Sequence, residues 1–173
     1  MENRKTKIDE LREGNIITSY GGQNFLTVSP VPDICSCKFS IVEKGSAGKK
    51  HTDFYLDMDK MRRLVEEIND GPAYKKLQDD AKNQYPSAYK YTTGENGCKH
   101  LNIGGGMKGI RVQVSDTSAK VNQMVVVPWT DIQDMAFYFN LVMGEKVTSR
   151  YYSKLADAFW EGVIERQKYF KKQ

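Results

Sequence analysis

The stretch Lys38 to Asn69, KFSIVEKGSAGKKHTDFYLDMDKMRRLVEEIN, decides how this chain is read. Phe39 and Ile41, then Phe54, Leu56 and Met58, recur at a period of two, as in strands with one buried face. Met61, Leu64, Val65 and Ile68 recur at the helical period. The basic, glycine-containing segment GSAGKK between the strand patterns reads as a turn. The stretch therefore predicts strand, turn, strand, helix. Displaced by 71 residues, it lies without a gap on Gly109 to Asn140, GIRVQVSDTSAKVNQMVVVPWTDIQDMAFYFN. Ile110, Val112, Val125, Val127 and Trp129 take the strand positions; Ile132, Met135, Ala136 and Phe139 take the helical ones. Two amphipathic segments can agree by composition alone. Here strand phase, helix phase and connection length agree at a single offset, which favours a duplicated module over a short-period array.

Working outward, Ile16 to Tyr20 and Phe25 to Val28 read as two strands joined at Gly21-Gly22, with Ser29-Pro30-Val31-Pro32-Asp33 breaking the second. Ile34 to Lys44 is the third strand and His51 to Met58 the fourth. Asp59 is the expected N-cap of a helix over Lys60 to Asn69, closed by Gly71-Pro72. Pro72 to Gln84 predicts a short connecting helix. Strands follow at Ser87 to Thr93, Lys99 to Ile103, Gly109 to Ser115 and Gln123 to Trp129. Under the same offset Tyr91 falls on Tyr20. Thr130 with Gln133 matches a capping box for a helix over Asp131 to Met143, which Gly144 closes. The expected fold is α+β: two tandem ββββα units with antiparallel sheets, followed by a long C-terminal helix. Its parts are a polar arm (1–13), the first unit (14–71), a connecting helix (72–86), the second unit (87–144) and the C-terminal helix (145–173). The last carries a stripe of Tyr152, Leu155, Ala156, Phe159 and Val163.

A chain of 173 residues can bury about two-thirds of its unfolded surface without a metal or disulfide staple. Its net charge of +4 permits an anionic partner without requiring one. Three cysteines without a C-x-x-C pair argue against a disulfide framework and against a zinc site. Cys35 and Cys37 fall in phase with Phe39 and Ile41 and read as small core residues. The polar start has no apolar signal core, and no run approaches the roughly 20 apolar residues of a membrane span. A cytoplasmic protein without membrane contact is expected.

Motifs for catalysis are weak. GGGMKG at Gly104 to Gly109 matches G-x-G-x-x-G literally, but a strand follows it where the dinucleotide fingerprint needs a helix. His51 and His100 have no partner at metal-ligand spacing. Asp53 and Asp57 alternate on one strand face, with Asp59 beyond; the helix start explains the last two. No serine sits in a nucleophile elbow. No enzyme and no cofactor is expected.

The outward phase of the sheets carries a different signal. Ser36, Lys38, Ser40 and Lys44 lie opposite the apolar phase of the third strand, and Arg111, Gln113 and Ser115 opposite that of its counterpart. Lys49 and Lys50 lie in the turn; Lys99-His100, Lys108, Lys120 and Tyr89-Lys90-Tyr91 extend the set. Cations for phosphates and rings for unstacked bases suit a single nucleic-acid strand. An ordinary solvated sheet face has the same alternation.

Four strands then a helix, used twice, resembles the single-stranded-DNA-binding superfamily of the Whirly proteins and the transcriptional positive coactivators. The best local match is VEKGSAGKKHTDFYLDMDKMRRLVEEI, similar to the coactivator order of strand, basic glycine turn, strand and helix. The lysine-glycine-lysine-alanine-alanine-leucine motif of plant Whirly proteins is absent; Gly48-Lys49-Lys50-His51 stands near its place. Phage-encoded relatives share this fold, which makes a phage or mobile-element protein a natural home, acting in the host-cell cytoplasm. The resemblance implies a pseudo-dimer that binds single-stranded DNA, or RNA, with little sequence preference, in replication, recombination or transcription. It places Lys38, Ser40 and Lys44 on one outer face and Arg111 and Gln113 on the other. Lys49, Lys50, Lys108 and Lys120 become loop contacts, and Tyr20, Tyr55, Tyr89 and Tyr91 candidate stacking platforms. The alternative is a protein–protein adaptor, assembled as a homo-oligomer through the C-terminal helix.

Overall fold

The computed structural model describes residues 14–46, 50–83, 87–147 and 161. Four strands, β1 (Ile17–Gly21), β2 (Asn24–Val31), β3 (Ser36–Glu43) and β4 (His51–Asp57), form an antiparallel sheet in chain order. Two helices follow, α1 (Met58–Asp70) and α2 (Pro72–Asn83). Strands β5 (Tyr89–Thr93), β6 (Lys99–Gly106), β7 (Gly109–Asp116) and β8 (Val121–Val127) form a second antiparallel sheet in the same order, and α3 (Trp129–Val147) follows. The class is α+β. No helix among the described residues is long and apolar enough to cross a membrane.

Register explains the core. Ile17, Val28, Phe39 and Phe54 stand opposite one another across the first sheet, so all four side chains share a face. Tyr89, Ile103, Val112 and Val125 do the same in the second. The inner faces, the α1 stripe (Met61, Leu64, Val65, Ile68) and the α3 stripe (Ile132, Met135, Ala136, Phe139) merge into one cluster. Phe39, Phe54 and Phe139 are fully buried, each stabilising by about 1.5–3 kcal/mol relative to exposure.

The two units dock through corresponding elements. Helix α1 packs on α3, and β4 crosses the second sheet. At that crossing the Thr52 hydroxyl donates to Gln123 Oε1 at 2.6 Å; both residues are buried and stand 71 positions apart. Ser19 on β1 donates to the Asp131 carboxylate on α3, and Tyr89 Oη on β5 donates to Glu67 on α1. The β1–β2 hairpin tip seats on β8: Asn24 Nδ2 donates to the Met124 carbonyl at 2.9 Å. A Cβ on Gly21 would stand 2.5 Å from the Val126 carbonyl oxygen.

Several expected boundaries move. Strand β2 runs through Pro30 to Val31. Val28 bonds toward the β1 side through Ile16, so two residues on the ring nitrogen of Pro30 faces that same side, past the end of β1, where no ladder partner is required. Cys35 is not in the core. It is exposed at φ 49°, closing the 3₁₀ turn Pro32–Ile34, and only Cys37 is buried. The first hairpin turns at Gly22-Gln23, because Gly21 pairs with Asn24. Helix α1 starts at Met58, one residue before the expected cap Asp59; Asp57 takes the cap position without a side-chain capping bond. Helix α3 starts at Trp129, so Thr130 and Gln133 lie inside it and form no capping box, and it continues through Gly144.

Gly104 to Gly106 belong to β6, not to a loop. Helix α2 lies so close over Gly105 that a Cβ there would stand 1.6 Å from the Leu77 carbonyl oxygen. Glycine is required by that approach, and no dinucleotide loop is involved. Asp80 on α2, buried, accepts from the backbone N–H groups of Ala88 and Gly105 and ties the connecting helix down.

The offset of 71 preserves faces in the strand–strand–helix halves but not every register. Phe39 pairs with Phe54, whereas Ile110 pairs with Val127, a slip of two that keeps the same face inward. Tyr20 and Tyr91, matched by the offset, point to opposite faces. The polar arm 1–13, Lys49 and, apart from Glu161, the expected C-terminal helix beyond Val147 lie outside the described residues.

Candidate nucleic-acid interface

With the inner faces consumed by the core, the outer faces remain for function. On the second sheet, pairing places Lys90, Asn102, Gln113 and Met124 in one outer row and Thr92, His100, Ser115 and Asn122 in the next. Arg111 and Val126 follow, beside Gly104. Among the described residues this outer face has no carboxylate. Lys108 stands exposed in the β6–β7 turn, and Lys120, at φ 53°, in the β7–β8 turn at the opposite end. The eight residues of β7 set those ends about 24 Å apart.

Polar side chains on this face are held in place. Gln113 Nε2 donates to Asn122 Oδ1 at 2.8 Å across the β7–β8 ladder. Arg111 Nε donates to the Gly105 carbonyl at 3.2 Å, so the aliphatic stem is fixed while the guanidinium keeps donors to spare.

The first sheet is different. Its outer face pairs Tyr20 with Phe25 and Lys38 with Tyr55. Tyr20 is 50% exposed and Tyr55 39%. The Tyr20 and Phe25 rings are 5.4 Å apart at 39°, and Lys44 Nζ sits 5.2 Å from the Tyr20 centroid, within cation–π range. Two carboxylates, Asp53 and Asp57, share the phase of this face; Asp53 accepts from Ser40 at 2.5 Å and pairs with His51 at 3.5 Å. Asp57 ends β4 beside Lys60.

The expected site residues therefore divide. Lys38, Lys44, Lys90, His100, Lys108, Arg111, Gln113 and Lys120 stand on an outer face or at its rim. Lys50 is exposed but engaged with Glu43 at 2.9 Å. Ser40 is only 5% exposed and its hydroxyl serves Asp53, so it offers no outward contact. Lys99 pairs with Asp116 on the inward phase, at the mouth of a cleft of about 220 Å³ lined by His51, Thr52, Asp53 and Asp116.

Tyr89 and Tyr91, expected among the nucleic-acid contacts, do not stand on the outer face. Both point inward from β5, leaving only Lys90 on the outer face between them. Tyr89 is buried; desolvation, with the hydrogen bond it gives Glu67 next, pushes its hydroxyl far above the usual tyrosine range. Burial, then the Glu67 charge, pushes Tyr91 up to about 12. Lys76 sits 2.7 Å from Glu67 and 5.5 Å from the Tyr89 centroid. The Lys76 and Tyr89 hydrogen bonds hold the Glu67 carboxyl below the ordinary range. These tyrosines are the polar seal between α1 and the second sheet.

Three features leave only a faint mark in the sequence. The seat of the first hairpin on β8 would show only as a glycine, Gly21, in a strand pattern. The Asp80 clamp would show as one acid on the apolar side of a connecting helix. The absence of acids on one phase of four strands is visible once their phases are known. No protein-family model matches the sequence, and no curated protein sequence matches it.

Proposed function

We propose that the chain is a duplicated ββββα unit closed on itself as a Whirly- or coactivator-type pseudo-dimer, and that it binds single-stranded DNA, without enzymatic activity, in replication, recombination or transcription. The pseudo-dimer reading is supported by Thr52 and Gln123, which meet each other at the offset of the repeat, as equivalent residues do on the two-fold axis of an isologous dimer. The observation that carries the binding reading is the outer face of the second sheet: Lys90, Arg111 and His100 among amides and hydroxyls, Lys108 and Lys120 at its ends, and no carboxylate among the described residues. Such a face neutralises phosphates without reading base edges.

An electrophoretic shift with labelled oligothymidine at two salt concentrations tests this. Affinity is expected to fall with salt at a slope of about −0.7 per phosphate neutralised. Absence of binding at low salt refutes it. A second reading, a protein-docking surface on the helices, is favoured by Phe137, 60% exposed on α3 and edge-on to Tyr138. If a Phe137→Ser variant changes the mass found by light scattering, the helical surface is an interface.

A further inference from the structure

The two outer faces are built from different chemistry. The second is cationic and amide-rich and carries no Phe, Tyr or Trp ring among its described residues. The first carries exposed Tyr20 and Tyr55 and the half-buried Phe25. The faces adjoin, because the tip of the β1–β2 hairpin lies on β8 through Asn24 and the Met124 carbonyl.

We propose that the two sheets are functionally unequal: Tyr20, backed by Phe25, is a nucleobase-stacking site, while the second sheet holds the phosphodiester chain. This rests on the single-strand-binding reading and adds a division of labour to it.

Three observations carry the assignment. Tyr20 is half exposed on the edge strand β1, beside Phe25 at the hairpin end, so an apolar ring surface is left to solvent. Phe25 fixes the ring from one side, which lowers the ordering cost of stacking. Lys44 lies over the ring as an exposed, displaceable cation. An incoming base would replace the Lys44 ammonium on the Tyr20 face. The released ammonium would remain within a side-chain length of the base's own phosphate, exchanging a cation–π contact for an ion pair. Every base has a π-face, so the site tolerates any sequence.

The test compares oligothymidine with an abasic oligodeoxyribonucleotide of equal length, which keeps the phosphates and lacks the rings. Tyr20→Ala should lower oligothymidine affinity on the order of ten-fold and abasic affinity by less than about two-fold. Tyr20→Phe should bind as the parent does, because the ring is retained. Lys90→Ala should lower both affinities alike and reduce the salt slope by about 0.7, the single-strand value per phosphate. Equal losses on both probes with Tyr20→Ala, or no loss on either, overturn the stacking site while leaving single-strand binding intact. If the parent protein binds neither probe at low salt, the functional reading itself fails and the division of labour falls with it. Circular dichroism of Tyr20→Ala, a half-exposed position, separates misfolding from lost stacking, and Tyr20→Leu supplies an apolar variant without a ring should alanine unfold.

Discussion

Replacing Gly105 with alanine is the sharpest challenge to the docking of the connecting helix. The added Cβ would lie 1.6 Å from the Leu77 carbonyl oxygen, 2.6 Å from its carbon and 3.1 Å from the Ala81 nitrogen. All three are backbone atoms, so no rotamer change relieves the overlap. Helix α2 must rise by about 2 Å to restore contact distance. That displacement uncovers Leu77 and Ala73, both buried, and pulls Asp80 from the N–H groups of Ala88 and Gly105. Overpacking of this kind costs about 1–3 kcal/mol, and a weakened bond to a buried charged group about 1.5–3 kcal/mol. The expected loss is about 3–5 kcal/mol against a total stability of about 5–15 kcal/mol. Urea unfolding followed by far-ultraviolet circular dichroism reads this as a large fall in midpoint at similar slope. Gly104→Ala is the control: its added Cβ meets the end of the Arg111 side chain and Ser87, each at 3.1 Å, where small movements suffice. A Gly105→Ala variant within about 1 kcal/mol of the parent would show that α2 does not rest on β6 at this glycine.

Other perturbations separate the remaining contacts. Thr52→Val should destabilise by about 1–3 kcal/mol by stranding the buried Gln123 amide oxygen, and a double-mutant cycle with Gln123→Leu should give a coupling of about 0.5–3 kcal/mol; additivity would deny the contact between units. Tyr89 and Tyr91 have folded-state values raised above the unfolded one, so their contribution is complete below about pH 10 and is lost as pH rises through the folded values. Melting temperature should drop between about pH 10 and 12, and absorbance at alkaline pH should show these two tyrosines ionising last. Glu67 runs the other way: its folded value is depressed, so its contribution holds above the usual carboxylate range and disappears as pH falls through the lowered value. Glu67→Gln should bring the Tyr91 titration down toward the ordinary value, since the carboxylate charge is one of the causes holding it up. A Tyr91 titration unmoved by that substitution would break the proposed link through α1.

The amino-acid sequence by itself determined the strand–strand–helix halves. Phe39, Ile41, Phe54 and Leu56 alternate, Met61 to Ile68 follow the helical stripe, and both patterns recur at one offset, because periodicity reports which side of an element is apolar. The connecting helix was also legible from its composition. What only the tertiary structure decided are contacts between residues far apart in the chain. Which phase of YKYTT faces inward depends on Glu67 lying across from Tyr89, since tyrosine suits either face of a sheet. Whether Gly104 to Gly106 form a loop or a strand depends on α2 lying over Gly105. Pro30 stays in its strand because β1 has already ended beside it. The Lys38 to Asn69 stretch kept its inner face as read. Its outer face changed: Lys38 remains beside Tyr55, Ser40 is taken by Asp53, and Lys44 lies over Tyr20, a pairing that arises only when β1 and the end of β3 come to the same rim. Local alternation selects a face; the docking of one unit on the other selects which side chains on that face remain exposed.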